Sequence, residues 1–76
     1  MLHEDKKTLR NIILRHFLEA DNMKGLLSSE EASLWAPGHV RKVVYALENS
    51  GMLFGSGETN SRLYQTTKDG RKLIGG

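Results

Sequence analysis

PGHVRKVVYALENSGMLFGSGETNSRLYQTTKDG, residues 37–70, carries three joined signals. Val40, Val43, Val44 and Leu47 recur at helical spacing behind Pro37, a residue suited to the first turn of a helix. Gly51 follows as a helix-terminating cap. Two short apolar runs, Met52–Phe54 and Arg62–Thr66, then flank Gly55-Ser56-Gly57-Glu58-Thr59-Asn60-Ser61, whose Gly, Asn and Ser content predicts a hairpin loop. Thr67 is placed to cap a last short helix, with Leu73 and Ile74 returning to the core.

Toward the N-terminus, residues 5–20 show the period of an amphipathic helix. Leu9, Ile12, Ile13, His16, Phe17 and Ala20 form one face. Asp5 sits near the start, where a carboxylate suits the helix dipole. Asp21-Asn22 and Gly25 end the element. Leu14 and Leu18 lie off the stripe, one turn apart. They read either as surface leucines or a contact with the C-terminal tail, or as a dimer seam.

Between the two long helices, Gly25-Leu26-Leu27 reads as one brief strand. Ser28 and Glu31 have capping-box spacing, so a second short helix is expected from Ser28, with Ala32 and Trp35 inward. Pro37 limits it, because the residue before a proline is biased to extended conformations. The expected order is helix, short strand, helix, helix, hairpin, short helix.

The chain of 76 residues allows one small domain, 1–76, with residues 1–4 and 75–76 expected to be flexible. It has no cysteine, which excludes disulfides and thiolate metal sites and suits a reducing cytoplasm. No apolar run approaches a membrane span, and the charged start does not resemble a secretory signal. Residues 1–37 carry five Lys/Arg against six Asp/Glu, and residues 38–76 carry six against three. A nucleic-acid partner would therefore be met by the second half, although uneven charge is also an ordinary surface property.

The stretch over residues 26–74 resembles the winged helix-turn-helix family of small prokaryotic, archaeal and phage transcriptional regulators. The family pattern is Leu-x-x-x-Gly followed by two hydrophobic residues, a turn, and Tyr-x-hydrophobic-Thr-x-x-Gly. It falls here on Leu47, Gly51, Met52, Leu53, Tyr64, Thr66, Thr67 and Gly70. Two departures stand out. Thr66 occupies a position where an apolar residue is usual, and the turn before the third helix, Trp35-Ala36-Pro37-Gly38, reads as short. The resemblance implies an α+β fold: a three-helix bundle with a short strand, a C-terminal β-hairpin wing and a short last helix.

It also implies a sequence-specific, double-stranded DNA-binding regulator of transcription. A homodimer is expected separately, because a single copy with few basic contacts would bind with limited, salt-sensitive affinity, and no cofactor is expected. The third helix would enter the major groove and the wing would touch the flanking backbone. With Val40, Val44 and Leu47 inward, the opposite side of the helix carries Gly38, Arg41, Lys42, Tyr45 and Asn49, with His39 at its flank. Gly38 admits a phosphate close to the backbone, Arg41 suits guanine, Lys42 suits phosphate, and Tyr45 offers a hydroxyl and a flat face. Asn60 and Arg62 are the wing candidates. Arg62 either enters a minor groove or pairs with Glu58.

Two other classes share the fold. One is a protein-interaction module using Tyr45, Trp35 and the Leu14/Leu18 patch. The other is a recombination or replication accessory factor of phage or plasmid type. Catalysis is not expected, since no carboxylate pair or nucleophile–base set is present. Gly55-Ser56-Gly57 lacks the following helix a phosphate loop needs. His3, His16 and His39 lack the spacing for a shared metal, and His16 reads as a satisfied core histidine.

Overall fold

The computed structural model describes residues 2–58 and 61–75, with side chains described from Thr8 onward. In chain order, α1 spans Leu2–His16, β1 Asp21–Asn22, α2 Met23–Leu27, α3 Pro37–Asn49, β2 Leu53–Ser56, β3 Leu63–Thr66 and α4 Lys68–Leu73, with a 3-10 turn at Ala32–Leu34 before α3. The strands form one antiparallel sheet in the order β1-β3-β2. Asp21 pairs with Tyr64 and Asn22 with Leu63; Leu53 pairs with Thr66 and Ser56 with Leu63.

One core joins these elements. Leu9, Ile13 and Leu14 from α1, with Phe17 just after it, meet Leu26, Ala32, Val40, Val44, Leu47, Leu53 and Tyr64. The spacing of Leu9, Ile13 and Phe17 delivers the expected stripe, but its edges differ. Leu14 is fully buried, whereas Ala20 is exposed. Of the alternatives open for Leu14 and Leu18, the contact with the C-terminal tail holds for Leu14; as a dimer-seam candidate Leu14 is corrected, since it is covered by its own chain. The covering element is the C-terminal segment, where a Cβ on Gly70 would lie 3.2 Å from Leu14 Cδ2. Leu18 alone stays partly exposed, and of the C-terminal pair Ile74 packs on the core while Leu73 remains exposed.

The segment between α1 and α3 also differs. The expected strand at Gly25-Leu26-Leu27 is the body of α2, and the strand lies just before it. Asn22 caps that helix, its side-chain oxygen accepting from the Gly25 N–H at 2.8 Å. Ser28 ends α2 rather than starting a helix, and its hydroxyl donates back to the Lys24 carbonyl at 2.8 Å. Helical structure resumes only as the 3-10 turn, so the connection from α2 to α3 is longer than the sequence suggested.

The C-terminal stop of α3 is a Schellman arrangement. Met52 N–H donates to Leu47 O at 2.9 Å and Gly51 N–H to Glu48 O at 3.1 Å. Gly51 has φ +85°, a left-handed conformation that costs other residues about 1–2 kcal/mol. The Thr67 hydroxyl donates to Gly51 O at 2.7 Å and accepts from Gly70 N–H at 3.2 Å, which starts α4. Gly70 is buried, and a Cβ there would lie 2.6 Å from Thr66 Cγ2 and overlap the Met52 carbonyl. The Thr-x-x-Gly pattern thus has a steric cause.

Candidate nucleic-acid interface

Burial divides α3 cleanly. Val40, Val44 and Leu47 are in the core, while Gly38, Arg41, Lys42, Tyr45 and Asn49 are exposed on the opposite side and His39 is half-buried at the flank. Tyr45 keeps 49% of its surface exposed. At 100° per residue the exposed set spans one continuous strip.

The N-terminus of α3 is open. Ala36 provides no side-chain cap, and Pro37 has no N–H to satisfy. His39 and Val40 N–H groups both donate to Ala36 O, at 3.0 and 3.1 Å. The Gly38 N–H has no partner among the described residues. A Cβ on Gly38 would meet nothing within 4 Å, so its lack of a side chain is not required by packing. An unpaired amide at the positive end of a helix dipole favours an anion.

The strip borders two grooves. Arg41 and Tyr45 line one of about 430 Å³ with Lys24 and Leu27 of α2 and Arg62 and Tyr64 of the hairpin. His39 and Lys42 line another, of about 530 Å³, with Arg10 of α1 and the apolar Val43 and Ala46. The basic residues that sequence placed together are thus split along the two flanks of α3. Each flank gains a cation that sequence reading missed, Lys24 on one side and Arg10 on the other. Lys24 was hidden because its helix was read as a loop and strand.

The wing departs from expectation in its cation. Arg62 does not pair with Glu58. Its Nη2 donates to Glu48 Oε2 of α3 at 2.6 Å, which holds the guanidinium above its ordinary pKa. The same group lies 5.9 Å from the Tyr64 ring centroid. Burial, then the Glu48 charge, pushes the Tyr64 hydroxyl up. Asn60, the other wing candidate, and Thr59 lie outside the described residues.

His16, expected as a satisfied histidine, is half-buried with Nε2 2.9 Å from Asp21 Oδ2. The Asn22 backbone N–H and then the His16 contact lower the Asp21 pKa. Among the described residues no His, Cys, Asp or Glu side chains cluster as a metal site, and no helix is long and apolar enough to cross a membrane.

A helical bundle whose third helix presents an exposed strip beside a two-stranded wing is a winged helix-turn-helix fold. No protein-family model matches the chain, and no curated protein does either. Among solved structures it is similar to BpsR of Bordetella bronchiseptica, described as "Mechanism for regulation of DNA binding of Bordetella bronchiseptica BpsR by 6-hydroxynicotinic acid". The TM-score is 0.69 at 23% identity, over 92% of this chain and 48% of that one. The chain therefore spans about half the length of BpsR, and the likeness establishes the fold.

Proposed function

We propose that this domain binds double-stranded DNA as a transcriptional regulator, with α3 in the major groove and the wing over the flanking backbone. The observation that carries the reading is the exposed strip of Gly38, Arg41, Lys42, Tyr45 and Asn49 opposite the buried valines. An open helix start and both bordering grooves supply cations around it. BpsR, whose DNA binding is regulated, supports the reading through its shared fold. The α3 strip offers few cationic contacts per copy, so two copies on a near-palindrome would raise affinity and specificity. The reading includes no catalytic step, and it places the protein in the cytoplasm.

The test is a fluorescence anisotropy titration against random-sequence duplex at a series of salt concentrations. Salt-dependent binding is expected. In the Arg41→Ala/Lys42→Ala protein the salt slope should fall by at least about 0.9, the contribution of the Lys42 phosphate contact. No binding by the wild-type protein at low salt would overturn the proposal.

A protein-interaction role is the second reading; of the residues the sequence suggested for it, Tyr45 and Leu18 are exposed. Leu14 is buried and Trp35 packs half-buried on the core. Further exposed apolar groups are Phe54, at 63%, and Leu63 on the outer face of the hairpin, with Leu34 at 80% on the turn before α3.

A further inference from the structure

We propose that Arg62 is a positioning residue rather than a phosphate contact, and that Glu48, by clamping it, sets where the wing lies relative to the reading helix. The consequence for DNA rests on the function proposed above; the clamp itself rests on geometry alone.

Arg62 ties together three parts of the chain. Nη2 reaches Glu48 Oε2 of α3 at 2.6 Å and Gly55 O of β2 at 3.2 Å, while Nη1 reaches Gly57 O at the start of the loop at 3.3 Å. The Tyr64 ring lies beneath the same group. The strand is shaped to let the pair cross it. A Cβ on Gly55 would lie 2.5 Å from Glu48 Oε2 and 2.7 Å from Arg62 Nε, so any side chain there would displace the clamp. Both partners are only partly exposed, with 35% of the Arg62 and 24% of the Glu48 side chain accessible. Salt screens such a pair less than an exposed one.

The charge inventory points the same way. Residues 53–66 contain one basic residue, Arg62, and one acidic residue, Glu58. With Arg62 answered by Glu48, the wing has no cation left over and its loop carries a carboxylate. A phosphate would have to displace a carboxylate that is already hydrogen-bonded. On the same groove Lys24 and Arg41 have no carboxylate partner among the described residues, and they are the groups available to the backbone on that side.

The two roles of Arg62 give opposite results in one experiment. The full chain is titrated with duplex DNA across a salt series as wild type, Glu48→Gln, Arg62→Gln and the double variant. As a positioning pair, both single variants should weaken binding about fivefold at fixed salt, the scale of coupling within one hydrogen-bonded network. The salt slope should stay unchanged, and the double variant should be no weaker than either single one. If Arg62 instead contacts phosphate, Arg62→Gln lowers the slope by about 0.9 and Glu48→Gln tightens binding by releasing the cation, which overturns the proposal.

A wild-type protein that binds no DNA would sink the functional reading and leave the clamp to be judged on the free protein. There, amide hydrogen exchange should show lost protection across β2 and β3 in Glu48→Gln with α1 unchanged. Equal protection in both proteins would overturn the clamp.

Discussion

The hydroxyl of Thr66 donates to the backbone carbonyl of Leu14 at 2.6 Å, joining residues 52 positions apart. The Thr66 N–H also donates to Phe17 O at 2.8 Å. These bonds satisfy carbonyls that the end of a helix leaves without partners. The threonine that departs from the family pattern is thus a tether between α1 and the sheet. Thr66→Val should leave the Leu14 carbonyl unpaired in the core, at a cost of about 1–3 kcal/mol. Thr66→Ser should retain most of the stability. Urea denaturation followed by circular dichroism distinguishes them, and equal midpoints for valine and wild type would remove the tether's importance.

Leu14 and Leu18 should behave as opposites. Leu14→Ala removes a fully buried side chain, at about 2–5 kcal/mol. Leu18→Ala changes a partly exposed one and should stay within about 0.5 kcal/mol. If Leu18→Ala also shifts a monomer–dimer equilibrium in sedimentation velocity, that leucine belongs to a seam formed without Leu14.

Two glycines separate steric need from openness. Gly70→Ala places a methyl group against Thr66 and the Met52 carbonyl, and overpacking of this kind costs about 1–3 kcal/mol. Gly38→Ala points into open space within a helix and should gain up to about 1 kcal/mol. On the DNA reading the same Gly38 substitution weakens binding, so its thermal midpoint and its affinity should move in opposite directions.

Asp21 should give the fold a modest dependence on acid. Its folded pKa lies below the ordinary 3.8, because the Asn22 N–H and then His16 favour the carboxylate. A depressed acid contributes stability above its unfolded pKa and loses it as pH falls through the folded value. The stability gap between wild type and Asp21→Asn should therefore be constant near neutrality and close below about pH 4. Urea midpoints from pH 3 to 7 measure it, and a gap that widens toward acid would reverse the assignment.

What local sequence could reveal depended on where each element gets its stability. The long helices announce themselves because their own spacing creates the buried stripe, as in Leu9, Ile13 and Phe17, or Val40, Val44 and Leu47. The turn chemistry of Gly51 and Thr67 is equally local. The β1 strand is different: its two residues are extended because β3 lies beside them, and nothing in Asp21-Asn22 signals that. Ser28 and Glu31 have the spacing of a capping box, but Asn22 had already started a helix six residues earlier, and Ser28 ends it. Leu14 lay off the stripe with its partner left open, because the segment that buries it arrives from the far end of the chain. At the site, the α3 strip followed from periodicity, whereas the partner of Arg62 did not, since Glu48 and Arg62 meet only when the hairpin folds onto α3.

The joint at Gly51 and Met52 has a mechanical consequence. The carbonyl of Gly51 takes the Thr67 hydroxyl, and the carbonyl of Met52 takes the Thr67 N–H at 3.0 Å. One hinge-like spot therefore fastens the end of α3, the root of the hairpin and the start of α4. A helix held this way cannot pivot without dragging the wing along. The domain would meet any surface as a stiff wedge of fixed opening, and adjustment between the two would fall to the surface it meets.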